Sequence, residues 1–148
     1  MSLLQSNSTS VSIGFGTAAL GSRGYETVRT ALDLGFRVFD TAEESDYWYD
    51  QKSVGLALED YFKTIRQICD SKTLSTDGLI LLDKMDAEGK CTQNCRDLKI
   101  ATKIPPWELK SPLHIRLRAE DSRSTLVGFC DDKNDGKFPL DVYYIHAP

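Results

Sequence analysis

The chain has 148 residues, 41% of them hydrophobic and 27% charged, with a formal net charge of −4. That length supports one ordinary globular core and is short for a complete large barrel. The acidic balance, with no block of lysine or arginine, argues against a nucleic-acid partner. No apolar run approaches the roughly 18 residues of a membrane span.

The first ten residues, MSLLQSNSTS, lack the basic region and long apolar core of a signal peptide. A cytoplasmic location is therefore expected, with Cys69, Cys91, Cys95 and Cys130 as reduced thiols. Cys91 and Cys95 have no nearby histidine to complete a metal site, since His114 and His146 lie far along the chain. No metal is expected.

Val11–Leu20, VSIGFGTAAL, begins as a strand and ends on glycine-rich backbone, with Gly14 and Gly16 flanking Phe15. The third glycine of a dinucleotide fingerprint is missing. Such a tip is either a plain turn or a place where a flat ligand can lie against backbone. Tyr25–Leu34 reads as a helix with Val28, Ala31 and Leu32 on one face and Gly35 at its stop. Phe36–Thr41 follows as a strand. Phe36, Val38 and Asp40 share one face, and Arg37, Phe39 and Thr41 the other. A lone carboxylate on a buried face is costly, so Asp40 calls for a cationic partner or several donors.

The loop after Asp40 carries Tyr47, Trp48 and Tyr49 among Glu43, Glu44, Asp46 and Asp50, acids that would repel phosphate. Ser53–Phe62 is a second amphipathic helix, with room to continue to Ile68. Residues 69–97, with an apolar knot at Leu79–Leu82, are long for a connection in a compact α/β unit and read as an insertion. Leu98–Ile104 is a strand ending before Pro105 and Pro106, with Lys99, Ala101 and Lys103 on one face. Pro112 to Cys130 reads as one helix, with a stripe of Ile115, Ala119, Ser122, Leu126 and Phe129. Asp141–His146 is the last strand, and Val142, Tyr144 and His146 share a face. Strands alternating with helices predict a parallel α/β sheet, as a barrel segment or an open sheet, with ligands beyond the C-terminal strand ends.

Asp40, Lys103 and His146 each fall at or near such an end. Any one alone reads as an ordinary strand-edge residue; three at equivalent positions would converge on one mouth. With a tyrosine from the loop after Asp40, the set acquires a specific chemistry. A phenol is a poor acid near neutral pH, and a nearby ammonium favours its phenolate. The carboxylate would hold the lysine charged, and the histidine could donate to a substrate oxygen. Such a group suits proton delivery to a carbonyl that accepts hydride, and since no side chain supplies hydride, a nicotinamide cofactor is implied. A lyase using Lys103 as a Schiff base fits less well, because pairing with Asp40 keeps the amine protonated.

Five blocks in order, GFGTAALG (Gly14–Gly21), GFRVFDTA (Gly35–Ala42), VGLAL (Val54–Leu58), ATK (Ala101–Lys103) and LDVYYIHAP (Leu140–Pro148), resemble the aldo-keto reductase family. The helix segment DSRSTLVGF is similar as well. The resemblance implies a (β/α)8 TIM barrel of which this chain holds about the first four parallel strands, with the insertion before the third. On that reading residues 1–148 are a C-terminally truncated domain. It implies NADP(H), or NAD(H), as cofactor, and a small carbonyl or alcohol as substrate. Matched by motif, Asp40, Lys103 and His146 are three of the family's catalytic tetrad, and Gly16, Thr17 and Asp40 lie near the nicotinamide end. For the tyrosine, the family's usual place is Ser45 here, in a loop that is longer. Tyr47 fits if the extra residues follow it; Tyr49 fits if they precede it. The resemblance leaves two readings: a carbonyl reductase whose other half lies elsewhere, or a non-catalytic interaction module that keeps the motifs. Unpaired first and fourth strands would also favour self-association.

Overall fold

The computed structural model describes residues 13–43, 48–71, 95–131 and 136–146, with residues 69–71 described in backbone only. Among the described residues four strands and three α-helices alternate: β1 (Gly14–Gly16), α1 (Gly24–Asp33), β2 (Val38–Asp40), α2 (Gln51–Ser71), β3 (Lys99–Ile104), α3 (Pro112–Val127) and β4 (Val142–Ile145). The strands form one parallel sheet in the order β1-β2-β3-β4. This is the arrangement of a partial (β/α)8-like barrel, with an added connection ahead of β3. Of that connection, residues 72–94, including Leu79–Leu82, lie outside the described residues.

The first two helices follow from their apolar spacing. In α1, Val28, Ala31 and Leu32 recur at steps of three and four and are fully or almost fully buried. Gly35, at φ 92°, takes the left-handed turn that ends the helix, and the Phe36 amide donates back to the Ala31 carbonyl at 2.9 Å. In α2, Val54, Ala57, Leu58, Tyr61, Phe62 and Ile65 continue the same steps and fill the centre of the core. This helix outruns its expected limits at both ends, because its amphipathic face persists to Ile65 and Asp50 caps its start. The Ser53 amide and hydroxyl donate to the Asp50 carboxylate at 3.0 and 2.5 Å, and these bonds hold the carboxyl below its ordinary range. In α3, Ser111 accepts from the His114 amide and Pro112 opens the first turn. The expected single helix to Cys130 breaks at Val127 into a tight 3-10 turn, Gly128–Cys130.

All three helices pack on one face of the sheet, the face of Phe39, Ile100, Thr102 and Ile104. The other face carries Val38, Asp40, Ala101, Lys103, Val142 and Tyr144. Among the described residues no helix covers it. The β3–α3–β4 unit is fastened at its base by Arg123, which donates to Asp131 at 2.7 and 3.1 Å, to Glu120 at 3.0 and 3.1 Å, and to the Phe138 carbonyl at 3.2 Å.

One expectation is overturned. Cys95 and Cys130 are joined as a disulfide, with Cα atoms 5.9 Å apart. Compartment was a poor guide here; topology decides the matter. Cys95 precedes β3 and Cys130 follows α3, so the return of the chain after one strand and one helix brings both to the base of the sheet.

Helices α2 and α3 meet at Gly55. A Cβ there would stand 2.1 Å from the Thr125 carbonyl oxygen, a backbone atom that cannot swing aside. Gly55→Ala should therefore destabilise the fold. The gain in helix propensity is about 1 kcal/mol, whereas overpacking costs about 1–3 kcal/mol or more. Urea unfolding would show a lower midpoint, and a raised one would contradict the packing. Replacing Cys95 and Cys130 together by serine should remove about 4 kcal/mol, given the separation of 35 residues that the bridge closes. An unchanged unfolding midpoint would contradict the disulfide.

Candidate active site

Parallel register sets the site. Asp40 lies beside Gly16 on one neighbour and Ala101 on the other, and Lys103 lies directly beside Tyr144. The Lys103 ammonium thus reaches across β3 to β2. Its Nζ donates to Asp40 Oδ2 at 2.7 Å and to the Thr41 carbonyl at 3.0 Å. The lysine side chain is 8% exposed and the aspartate 43%, so the positive charge is the more deeply enclosed of the two. Burial alone would pull the amine's pKa down, but hydrogen bonding to Asp40 and Tyr144 and the nearby carboxylate charge outweigh it. The ammonium is held above the ordinary lysine range. The second carboxylate oxygen, Oδ1, accepts from the Tyr144 hydroxyl at 3.1 Å.

Two phenol rings flank the ammonium. Lys103 Nζ lies 5.2 Å from the ring centre of Tyr49 and 5.3 Å from that of Tyr144, within cation–π range. The Tyr49 ring meets His146 edge-on, with centres 5.7 Å apart. Asp40, Lys103, His146 and Tyr49, expected from sequence, therefore come together at the C-terminal strand ends. Tyr47 lies outside the described residues. Trp48 adopts a left-handed backbone at φ 59° and turns outward, largely exposed.

The loop bearing Tyr49 is tied to the scaffold on several sides. The Ala19 amide donates to the Trp48 carbonyl at 3.2 Å. Asp50 starts α2, and next to it Gln51 accepts from the Thr102 hydroxyl at 2.9 Å. Helix α2 is thereby registered against β3, and Tyr49 is carried to Lys103.

Thr17 and Gly16 sit beside this group at the tip of β1. Thr17 is buried, with its amide and hydroxyl both donating to the Asp40 carbonyl at 3.0 and 3.1 Å. It stitches β1 to β2. Gly16 is the reverse case: a Cβ built there would meet nothing within 4 Å, so its backbone faces open space next to Asp40. A planar ring can approach backbone there, and to that extent the residues fit the nicotinamide end of a cofactor.

Two participants escaped the sequence reading. Tyr144 was placed on the right face of β4 but read as a neighbour of His146, not as a partner of Asp40. Glu43 reads in sequence as one of the loop acids that would repel phosphate; its side chain is 3% exposed. It accepts from Arg118 at 2.7 and 2.9 Å, from Ser122 at 2.7 Å and from Tyr143 at 2.5 Å. Burial, and then the bond to Glu43, push the Tyr143 phenol up. The alternation of β4 was the available signal, because Tyr143 and Tyr144 must point to opposite faces.

No protein-family model matches the chain, and no curated protein sequence matches it. Among solved structures it is similar to a crystal structure of a thermostable aldo-keto reductase, Tm1743, in complex with the inhibitor epalrestat. The identity is 22% and the TM-score 0.52, over 91% of this chain and 38% of that one. The chain thus spans well under half the length of the structure it resembles, and what the two share is the fold.

Proposed function

We propose that the strand-end cluster is the catalytic corner of an NADPH-dependent carbonyl reductase. The observation that carries this reading is the enclosed Lys103 ammonium, paired with Asp40 and set beside the Tyr49 ring at the C-terminal ends of parallel strands. Ligands of such sheets collect at those ends. The likeness of fold to an aldo-keto reductase supports the same reading.

Gly16, Thr17 and Asp40 are the residues that would hold the reactive end of the cofactor, NADP(H) or NAD(H). When bound, nicotinamide supplies the hydride that no side chain can. This chain's residues then have three tasks. Tyr49 gives its phenolic proton to the substrate oxygen as that oxygen gains negative charge. Lys103 favours the phenolate left behind, and Asp40 keeps Lys103 charged. His146, packed against the Tyr49 ring, donates to the carbonyl oxygen and orients it. The substrate on this reading is a small aldehyde or ketone.

Binding is tested by quenching of NADPH fluorescence, and turnover by aldehyde-dependent loss of NADPH absorbance. Lys103→Met and Tyr49→Phe should each lower turnover about 10²–10⁴-fold while leaving the quenching in place. If neither quenching nor oxidation is found with the unmodified chain, the interaction-module reading replaces this one.

The ion pair also predicts a pH dependence of stability. The Lys103 pKa is raised above its reference of 10.5, so its contribution is fully present below that value. The contribution is lost as pH rises through the folded-state pKa. Urea midpoints of the wild type and of Lys103→Met should therefore converge as pH climbs past the ordinary lysine range. A gap that stays constant there would contradict the pairing.

A further inference from the structure

We propose that Tyr144 is a positioning residue of this site: its hydroxyl fixes the free oxygen of Asp40, so that the other oxygen stays aimed at Lys103. The inference rests on the reading that Asp40 and Lys103 are the working pair, and it adds a member to the expected group of aspartate, tyrosine, lysine and histidine.

A carboxylate bound through one oxygen can rotate, because its last torsion is broad and roughly two-fold. Asp40 is well exposed, so an unfixed Oδ1 would exchange among waters and the plane of the group would wander. Tyr144 prevents this from a defined place. Register sets it beside Lys103 on the adjoining strand, and its hydroxyl reaches Asp40 Oδ1 at 3.1 Å while Lys103 holds Oδ2 at 2.7 Å. The carboxylate is then gripped at both oxygens, by side chains from two neighbouring strands.

The two phenols beside the ammonium consequently differ in kind. Tyr144 has its proton committed to Asp40. The Tyr49 hydroxyl has no such bond to a described residue, which leaves its proton for a substrate. Tyr144 thus acts through Asp40. The groups facing Lys103 are the Asp40 carboxylate from β2, the Thr41 carbonyl just after it, Tyr49 from the loop before α2, and Tyr144 from β4. His146 stands behind Tyr49.

The test is an NMR titration of Lys103 in the unmodified chain labelled with 13Cε-lysine, the resonance being assigned by its loss in Lys103→Arg. Tyr144→Phe keeps the ring and deletes the hydroxyl, and it should lower the Lys103 titration midpoint. Tyr143→Phe, on the same strand but facing Glu43, should leave that midpoint in place even if it lowers thermal stability. In an Asp40→Asn background, Tyr144→Phe should have a diminished effect on Lys103, because only the direct contact between the hydroxyl and the ammonium is left to lose. Equal midpoints for wild type and Tyr144→Phe would overturn the proposal. So would an undiminished effect in the Asp40→Asn background. Should Tyr144→Phe fail to fold, 13Cζ-tyrosine labelling reads the same bond: Asp40→Asn must move the Tyr144 resonance, and an unmoved resonance overturns the assignment. None of these readings needs cofactor. A shifted Lys103 in a chain that does not quench NADPH would keep the Tyr144 role and remove the reductase reading.

Discussion

A charged amine enclosed by protein must carry its counter-charge with it, and the pair of Lys103 with Asp40 organises the C-terminal end of this sheet. Taking an ammonium out of water is costly unless donors and acceptors are arranged to receive it. Here Asp40, at the end of β2, and the carbonyl of Thr41 just after it receive it. The chain must therefore hold β2 and β3 in one register, since a shift of one residue would turn Lys103 toward the helices. The backbone bonds that fix this register run close to the charge. The Thr41 amide donates to the Ala101 carbonyl at 2.9 Å and the Glu43 amide to the Lys103 carbonyl at 3.1 Å.

The helices serve this arrangement from the other side. Phe39 and Ile100 alternate with Asp40 and Ala101 along β2 and β3, so the residues that anchor the sheet to α1, α2 and α3 alternate with those that face the mouth. Burial on one face thereby fixes the orientation of the other. The fastenings of the unit and its strand-end cluster lie at opposite ends. The Cys95–Cys130 bridge and Arg123 with its acids close the base, whereas Asp40, Tyr49, Lys103 and His146 gather at the tips.

Much of this was readable from residue order because it depends on period. Alternation along Phe36–Thr41 put Asp40 on a face where it needed a cation, and alternation along Leu98–Ile104 put Lys103 where it could be one. The spacing in α1 put Val28, Ala31 and Leu32 on one face, and that face is buried. What could not be read depends on distance between remote segments. Nothing local to Tyr144 says that Asp40 is its neighbour, because parallel register is set by strands far apart in sequence. Glu43 looked like one more acid in a polar loop, and only the approach of α3 and β4 buries it. The disulfide was missed for the same reason, since Cys95 and Cys130 are separated by a whole strand and helix.

The loop after Asp40 is fastened near both of its ends. On one side Glu43 is held by Arg118, Ser122 and Tyr143; on the other Asp50 caps α2 and Gln51 takes the Thr102 hydroxyl. A segment strung between two such anchors can gain or lose residues without dragging Asp40 or Tyr49 out of place. Neither anchor passes through the pair of Asp40 and Lys103, which stays fixed whatever the length of chain between them. On the proposed reading, change in what the site admits is thereby uncoupled from change in its chemistry, at little risk to the fold.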